Sequence, residues 1–572
     1  MGLVLLFALA PALCHAADYY VDCEHGSDSA TGREAAKAWR TLSRVNAIEY
    51  AAGDSIRLKR GTTCEGALSP KGSGTADHPI TVGVFGTGAL PVVMAKGAVA
   101  GIELFNQHHW EIHNLEVTGS SEYGIHISGD SGLLSYFRIV DCIVHGVHSK
   151  QKMRSKISGL VVFDATGPQR FEDILIDGVT AYDTNRWAGI VVQGRGDSRK
   201  VTIRNATVHH VYGDGIILFS LRDGVIERSA AWYTGLELTY SIGSPNSIWT
   251  WACKDCIVRE NEGFFSDSPT VDGGVYDIDF YNERNVVENN YGHDSQGYCV
   301  AVFGAANTAT IASEVRGNLC AGNGRSPRLA MRYGDIYLYT WNKGSLDGVN
   351  VHENTVIWEP SINAPAVSND AAYSGTGRNS FENNLIVSRV GSMVHSNASL
   401  LLDRNRYINA SRGSWTWNGA DFDSFVEYQK ASGQDTHSSF SDAMPEFLKT
   451  PEAVPTSSEI DTKPFQGSYA LIAFLDSSAQ ARSQAVVLRS AAFQYRAKGL
   501  RTAIMSESPL QFVEDWKFDG LQIRVGRNLA GKLLLTLLLD PLGRTLYRWE
   551  GYAPAKQVTF AVRKLLGAPE PR

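Results

Sequence analysis

Val201-Thr-Ile-Arg-Asn-Ala-Thr-Val208 alternates apolar and polar side chains and carries an asparagine at its centre. That is the period of a β-strand with one buried face, interrupted by a polar corner. The phrase recurs as WEIHNLEV from Trp110, IVDCIV from Ile139, ILIDGV from Ile174, VIERSA from Val225 and IVRENE from Ile257. It continues as VVENN from Val286, EVRGN from Glu314, VNVHEN from Val349, SFENN from Ser380 and LLDRN from Leu401. Successive starts lie 21 to 35 residues apart. No amphipathic segment of helix length separates them, which excludes strand–helix–strand units. A strand at such intervals, with only turns and short strands between, is a solenoid signature. Stacked ~4.8 Å apart with apolar residues inside, about a dozen coils give a rod of roughly 55–60 Å. The recurrent asparagines are placed to ladder at the turn. The spacing predicts a parallel β-helix over 94–449.

The composition suits a packed protein. Of 572 residues, 43% are hydrophobic and 20% charged, which excludes a disordered or collagen-like chain. A net charge of −7 gives no global positive field for nucleic acid or an anionic membrane. Residues 1–17 read as a secretory signal, an apolar run from Leu3 to Leu13 followed by Ala16 and Ala17, so the protein is expected to be secreted or periplasmic. No other segment has eighteen uninterrupted apolar residues, so no membrane span is expected. All eight cysteines precede residue 321, and Cys14 would leave with the signal. Cys23 and Cys64 are candidates to staple the N-terminal segment in an oxidising compartment. Cys253-Lys-Asp-Cys256 has neither a second pair nor nearby histidines, so packing is a better reading than zinc.

The opening 18–93, with YYVDCEHGSDSATG, the short helix AWRTLSRV and GDSIRLKRGTTCEG, resembles the N-terminal cap of secreted right-handed β-helix proteins of the pectate-lyase-like superfamily. The resemblance implies a right-handed coil. After a Pro- and Ser-containing linker over 450–466, the texture changes over 467–572. A buried strand (GSYALIAFLDSS), a helix from Ala481 to Ala497, the strands LRTAIM and LLLTLLLD, a hairpin and a final helix resemble a thioredoxin-like domain. The redox site would follow Phe474, where LDSSAQAR has no cysteine, and Leu535-Thr536 replaces the family's cis-proline motif. Thiol chemistry needs a thiolate. The domain is therefore expected to be structural, or to dock a protein partner.

Ser247–Phe303 is the richest stretch for chemistry. In Val275–Tyr281, alternation puts Tyr276, Ile278 and Phe280 on one face and Asp277, Asp279 and Tyr281 on the other. The apolar set suits the interior, so both carboxylates should point out. Asp272 precedes Gly273-Gly274, which can turn the chain back toward that face. Glu262 on the preceding coil and His293 and Asp294 on the next are expected to converge there. Like charges at close range push one pKa up, so one residue type supplies both acid and base, as glycoside hydrolysis requires. The stretch SIWTWACKDCIVRENE…TVDGGVYDIDFYNERNVVENNYGHDSQG resembles a motif set of secreted β-helix proteins. Asp272 and Asp279 resemble the paired aspartates of β-helical glycosidases of the lacto-N-biosidase type. They are the first choices for acid and nucleophile or base, with Asp277 as the rival. Glu262 reads as a substrate hydrogen-bonder, and His293 as a proton shuttle or a satisfied turn residue. The alternative readings are Ca²⁺ bound with loop oxygens, or plain solvation; no cofactor is required.

Trp249 and Trp251 share a strand face, as do Tyr337, Tyr339 and Trp341 in YLYTW, and Trp415 with Trp417. Exposed aromatic rows make sugar-stacking platforms. Asp214 in YGDGI reads as a turn residue. Arg328 and Arg332 could neutralise a carboxylate sugar, though surface salt bridging is the plainer account. The leading function is a glycoside hydrolase on a polysaccharide or oligosaccharide. A polysaccharide lyase or uronate epimerase is second, because the motif offers more acid than base. A non-catalytic glycan-binding platform is third.

Overall fold

The computed structural model describes residues 16–150, 157–165, 167–236, 245–269, 272–326, 333–373, 375, 378–410, 412–458, 460–524 and 534–570. Among them, three long sheets of 14, 14 and 13 strands run side by side, parallel throughout except for a closing hairpin of Ser414–Trp417 with Ala420–Phe422. From Ile80 to Trp417 each coil gives one strand to each sheet. Arg222–Glu227 lies in sheet 1, Ala230–Thr234 in sheet 2 and Ile248–Trp251 in sheet 3. The next coil repeats this with Ile257–Arg259, Glu262–Phe264 and Tyr276–Ile278.

The recurrent phrase is a strand of sheet 1 followed by a corner. At that corner one residue per coil takes the left-handed conformation; Arg228, Glu260, Asn289, Gly317, Glu353, Asn383 and Arg404 have φ between +50° and +61°. From Glu260 onward the next residue is an asparagine, and these form a ladder. The backbone N–H groups of Asn261, Asn290, Asn318, Asn354 and Asn384 each donate to the Oδ1 of the asparagine one coil on, at 2.9–3.0 Å. Each amide thus satisfies a buried donor that the sharp turn takes out of the sheet. The corner also decides direction: residues after it face outward from sheet 2, not from sheet 1 or 3.

The N-terminal segment read as the cap of the β-helix also contributes strands to its sheets. Asp18–Val21, Ser55–Lys59 and Ile80–Phe85 belong to sheet 1, and Thr63–Glu65 and Val92–Met94 to sheet 2. Its short helix is Leu42–Asn46, and Cys23 is bridged to Cys64. A second disulfide joins Cys299 to Cys320, while Cys142, Cys253 and Cys256 are buried and unbridged. At the far end, Trp415 is buried against the helix Phe425–Ser432, its ring stacked on Tyr428. It is core, not platform.

The C-terminal unit has a five-stranded sheet. Ala470–Phe474, Arg501–Ser506 and Leu521–Arg524 are parallel, Leu535–Leu539 runs antiparallel beside Ala470–Phe474, and Thr545–Glu550 pairs antiparallel with Leu535–Leu539 at the edge. Helices Ala479–Tyr495 and Ala555–Leu566 accompany it. The linker is tied in through Val454, which bridges to Thr545. The unit sits on the outer face of sheet 2. There Tyr182, His209, Trp232, Phe264 and His293, one per coil, stack at 4.9–5.3 Å, and Phe493 lies over Trp232 at 4.9 Å. Arg60 pairs with Asp515 and Arg482 with Asp141, both bidentate. Lys517 reaches Glu116, and Arg563 reaches Asp294 and Glu359. The N-terminal end of helix Ala479–Tyr495 is therefore used for docking. Among the described residues no helix is long and apolar enough to cross a membrane.

Candidate active site

Sheet 3 carries the carboxylates. Its outward column at one register runs Trp249, Asp277, Ala301, Tyr337 over successive coils. Tyr276 points inward, its hydroxyl donating to the carbonyls of Asn261 or Tyr291 at 3.0 Å. The strand stops at Ile278, so alternation fails beyond it. Phe280 does not join the core as expected but packs outside, edge-on to Trp251 at 5.7 Å and to Trp341 at 5.4 Å.

Asp272, Asp277 and Asp279 come together as anticipated, and a fourth carboxyl, Asp214, joins them. Burial pushes Asp277 well above the usual carboxylate range, and the charges of Asp279, Asp272 and Asp214 push the same way. Asp279 is also raised, first by burial, then by Asp272 and Asp214 against a hydrogen bond from the Phe280 N–H. Burial lifts Asp214 to about 7 although the Asn246 N–H and the Trp249 indole both donate to it. Exposure separates the four: Asp214 is 2% and Asp277 3% exposed, whereas Asp272 and Asp279 are half-buried and open to a ligand. Among the described residues nothing hydrogen-bonds Asp277 Oδ1.

Two neighbours orient the cluster. The Tyr298 hydroxyl lies 3.0 Å from Asp272 Oδ1 and 3.1 Å from Asn246 Oδ1, and donates to one or the other. Asn246 Nδ2 donates to Asp277 Oδ2 at 3.3 Å. Gly274 makes this possible, since a Cβ there would fall 2.1 Å from the Tyr298 ring. Asp214, Asn246 and Tyr298 were not among the residues expected here. They lie 26 to 58 residues from Asp272 in sequence, and only the coil spacing brings them beside it.

Glu262, His293 and Asp294 do not join this patch. They follow the corner into sheet 2 and are buried beneath the C-terminal unit, on a different face. His293 Nδ1 is 2.8 Å from Asp294 Oδ2 and Nε2 is 3.1 Å from Glu262 Oε1. Burial pulls His293 down, but the two carboxylates outweigh it and raise its pKa. Gln494 donates to Glu262 at 2.8 Å, so the trio is part of the docking interface and out of reach of a glycan.

The aromatic residues divide as well. Trp249 is only 9% exposed, its indole N–H donating to Asp214 Oδ1 at 2.8 Å, so it supports the site instead of presenting a free face. Trp251 is half-buried and stacked on Phe219 at 4.2 Å. Tyr337, Tyr339 and Trp341 do face outward, stacked at 5.6 and 6.0 Å, and the half-buried Tyr339 and Trp341 form a ledge beside Phe280. Arg328 and Arg332 lie outside the described residues. Among those residues, the one grouping with metal-ligand spacing is Cys299, Cys320 and Asp335, and its sulfurs are committed to a disulfide.

Fold and site together define a right-handed parallel β-helix protein with an acidic patch on one face. The family described as the right-handed β-helix region matches residues 100–313. The chain is 22% identical to a lacto-N-biosidase of Bifidobacterium longum subsp. longum, over 68% of this chain and 30% of that protein, so it spans under a third of that relative's length. Among solved structures, the GH136 lacto-N-biosidase from Eubacterium ramulus is similar at 18% identity, with a TM-score of 0.50, covering 68% of this chain and 67% of that one. A thioredoxin domain of a thiol-disulfide oxidoreductase from Bacteroides vulgatus matches 21% of this chain and 99% of its own at 17% identity, with a TM-score of 0.17.

Proposed function

We propose that this chain is a glycoside hydrolase acting on an oligosaccharide, with Asp272 and Asp279 as its acid and its nucleophile or base. The observation that carries this reading is the division within the carboxylate cluster. Four aspartates share one patch, and the two that a ligand can reach are Asp272 and Asp279. In such a cluster one carboxyl holds its proton at neutral pH while a neighbour stays charged, which supplies the two roles that glycosidic cleavage needs. The likeness to lacto-N-biosidases supports hydrolysis and an oligosaccharide substrate. β-Elimination would need cationic neutralisation of a substrate carboxylate, whereas the charges acting on Asp277 and Asp279 are themselves carboxylates. The Tyr339–Trp341 ledge is suited to stack a sugar ring beside the pair. Export to an oxidising compartment fits this role, and the Cys23–Cys64 and Cys299–Cys320 bridges support it.

The test is digestion of an oligosaccharide panel headed by 4-nitrophenyl lacto-N-bioside, with calcium and chelator arms, reading reducing ends and unsaturated-uronate absorbance together. New reducing ends without unsaturation are expected. Asp272→Asn and Asp279→Asn should each lose more than about a hundredfold in turnover, ~2.7 kcal/mol of barrier, while folding normally. Azide rescue of the alanine variants then assigns the nucleophile. Wild-type turnover in both asparagine variants would refute the reading.

A further inference from the structure

The geometry points to Asp214, Asn246 and Tyr298 as a positioning relay that sets the orientation and charge of the reacting aspartates. The inference rests on the hydrolase reading of Asp272 and Asp279. The relay runs along the solenoid axis, with Asp214 and Asn246 on successive coils and Tyr298 two coils beyond Asn246. Asp214 Oδ1 accepts from the Asn246 backbone N–H at 2.8 Å and from the Trp249 indole at 2.8 Å, fixing the chain of the next coil. Gly215 allows this close approach, since a Cβ there would lie 2.2 Å from the Ser247 carbonyl oxygen. From that fixed point the Asn246 side chain works in two directions. Its Oδ1 accepts from the Gly274 N–H at 3.0 Å, holding the turn that follows Asp272, and its Nδ2 donates to Asp277. Tyr298, two coils on from Asn246, closes the path, its hydroxyl within hydrogen-bond distance of both Asn246 Oδ1 and Asp272 Oδ1 and donating to one of them.

Shape alone does not account for an aspartate at 214. Asparagine could accept the same two donors without burying an ionisable group, which is costly in an apolar setting. What aspartate adds is a charge that appears within the working pH range. The charged and titratable groups acting with it are Asp272, Asp277 and Asp279, while the indoles of Trp187 and Trp249 hydrogen-bond to it. As pH rises through about 7, Asp214 ionises, and its negative charge opposes ionisation of the acid beside it. The acid therefore keeps its proton to higher pH than it otherwise would. Below that pH Asp214 is neutral and has no such effect.

The experiment uses the full chain and three variants with 4-nitrophenyl lacto-N-bioside, together with tryptophan fluorescence titrated from roughly pH 5 to 9. Asp214→Asn should move the alkaline limb of the kcat profile to lower pH, leaving the acid limb and KM in place. Tyr298→Phe removes a donor that favours the charged form of Asp272. It should lower kcat about tenfold with KM unchanged, and shift whichever limb of the profile azide rescue assigns to Asp272 toward higher pH. Asp272→Asn separates the two ideas. If it is inactive while Asp214→Asn and Tyr298→Phe keep wild-type kcat and both limbs, the relay is overturned and the hydrolase reading stands. If Asp272→Asn turns over normally, or the wild type is inactive, the hydrolase reading fails and fluorescence alone decides the relay. The Trp249 indole reports on Asp214, so the wild type should show an inflection near neutral pH that Asp214→Asn lacks; superimposable titrations would overturn the relay.

Discussion

Asp335 shows at the scale of one residue how the solenoid interior treats a carboxyl group. It is fully buried, accepting from the Cys299 N–H and from Asn323 Nδ2 at 3.0 Å each, yet burial outweighs these donors and lifts its pKa to about 8. A carboxyl raised in the folded state binds a proton that the unfolded chain has released, so stability falls as pH climbs from its ordinary value toward about 8. Asp214 adds a slope of the same sign up to about 7. Thermal melts of wild type should therefore decline across this range, and Asp335→Asn should be measurably less sensitive to pH; parallel curves would contradict the assignment. Single residues were also where sequence reading met its limits. Asp272, Asp277 and Asp279 were legible because they sit together on a short stretch. Asp214 was not, because Asp-Gly also serves as a plain turn, and its partners Asn246 and Tyr298 come from other coils.

At the scale of the element, strand period 2 and the recurring corner made the coils readable, including the asparagine ladder. What period alone could not supply is the phase between sheets. Glu262 and Asp277 are both outward, but a left-handed residue at Glu260 and the loop before Tyr276 assign them to faces that point apart. Phe280 failed for a related reason, since alternation holds only while the strand lasts. The ladder itself makes a quantitative prediction. Asn318 is buried and bonded to the coils on both sides, so Asn318→Ala should cost about 1–3 kcal/mol in denaturant unfolding, from the donors left unpaired. A change within error would mean that the corner is held by its backbone alone.

Across the whole molecule, the C-terminal unit and the solenoid share one apolar cluster, including Trp232, Phe264, Leu488 and Phe560. The texture change after Phe447 was legible in the sequence, but not the surface on which the C-terminal unit docks, because the docking contacts are scattered along the solenoid. The two should unfold together. Arg60→Ala with Arg482→Ala removes both ion pairs across the interface, a loss on the order of 3–5 kcal/mol for the buried Arg60–Asp515 pair and less for the half-buried Arg482–Asp141 pair. The double variant should lower the melting temperature and split the calorimetric transition in two. A single unshifted transition would show that the apolar contact suffices.

That interface also has a mechanical meaning. Within the stack each coil is hydrogen-bonded only to its two neighbours, through the ladders of the three sheets. Here one compact unit is bolted at Arg60 near the start of the stack, at Asp141 and Asp294 along it, and at Glu359 well toward its end. It works as a splint along one flank, tying together coils that are not neighbours in the stack.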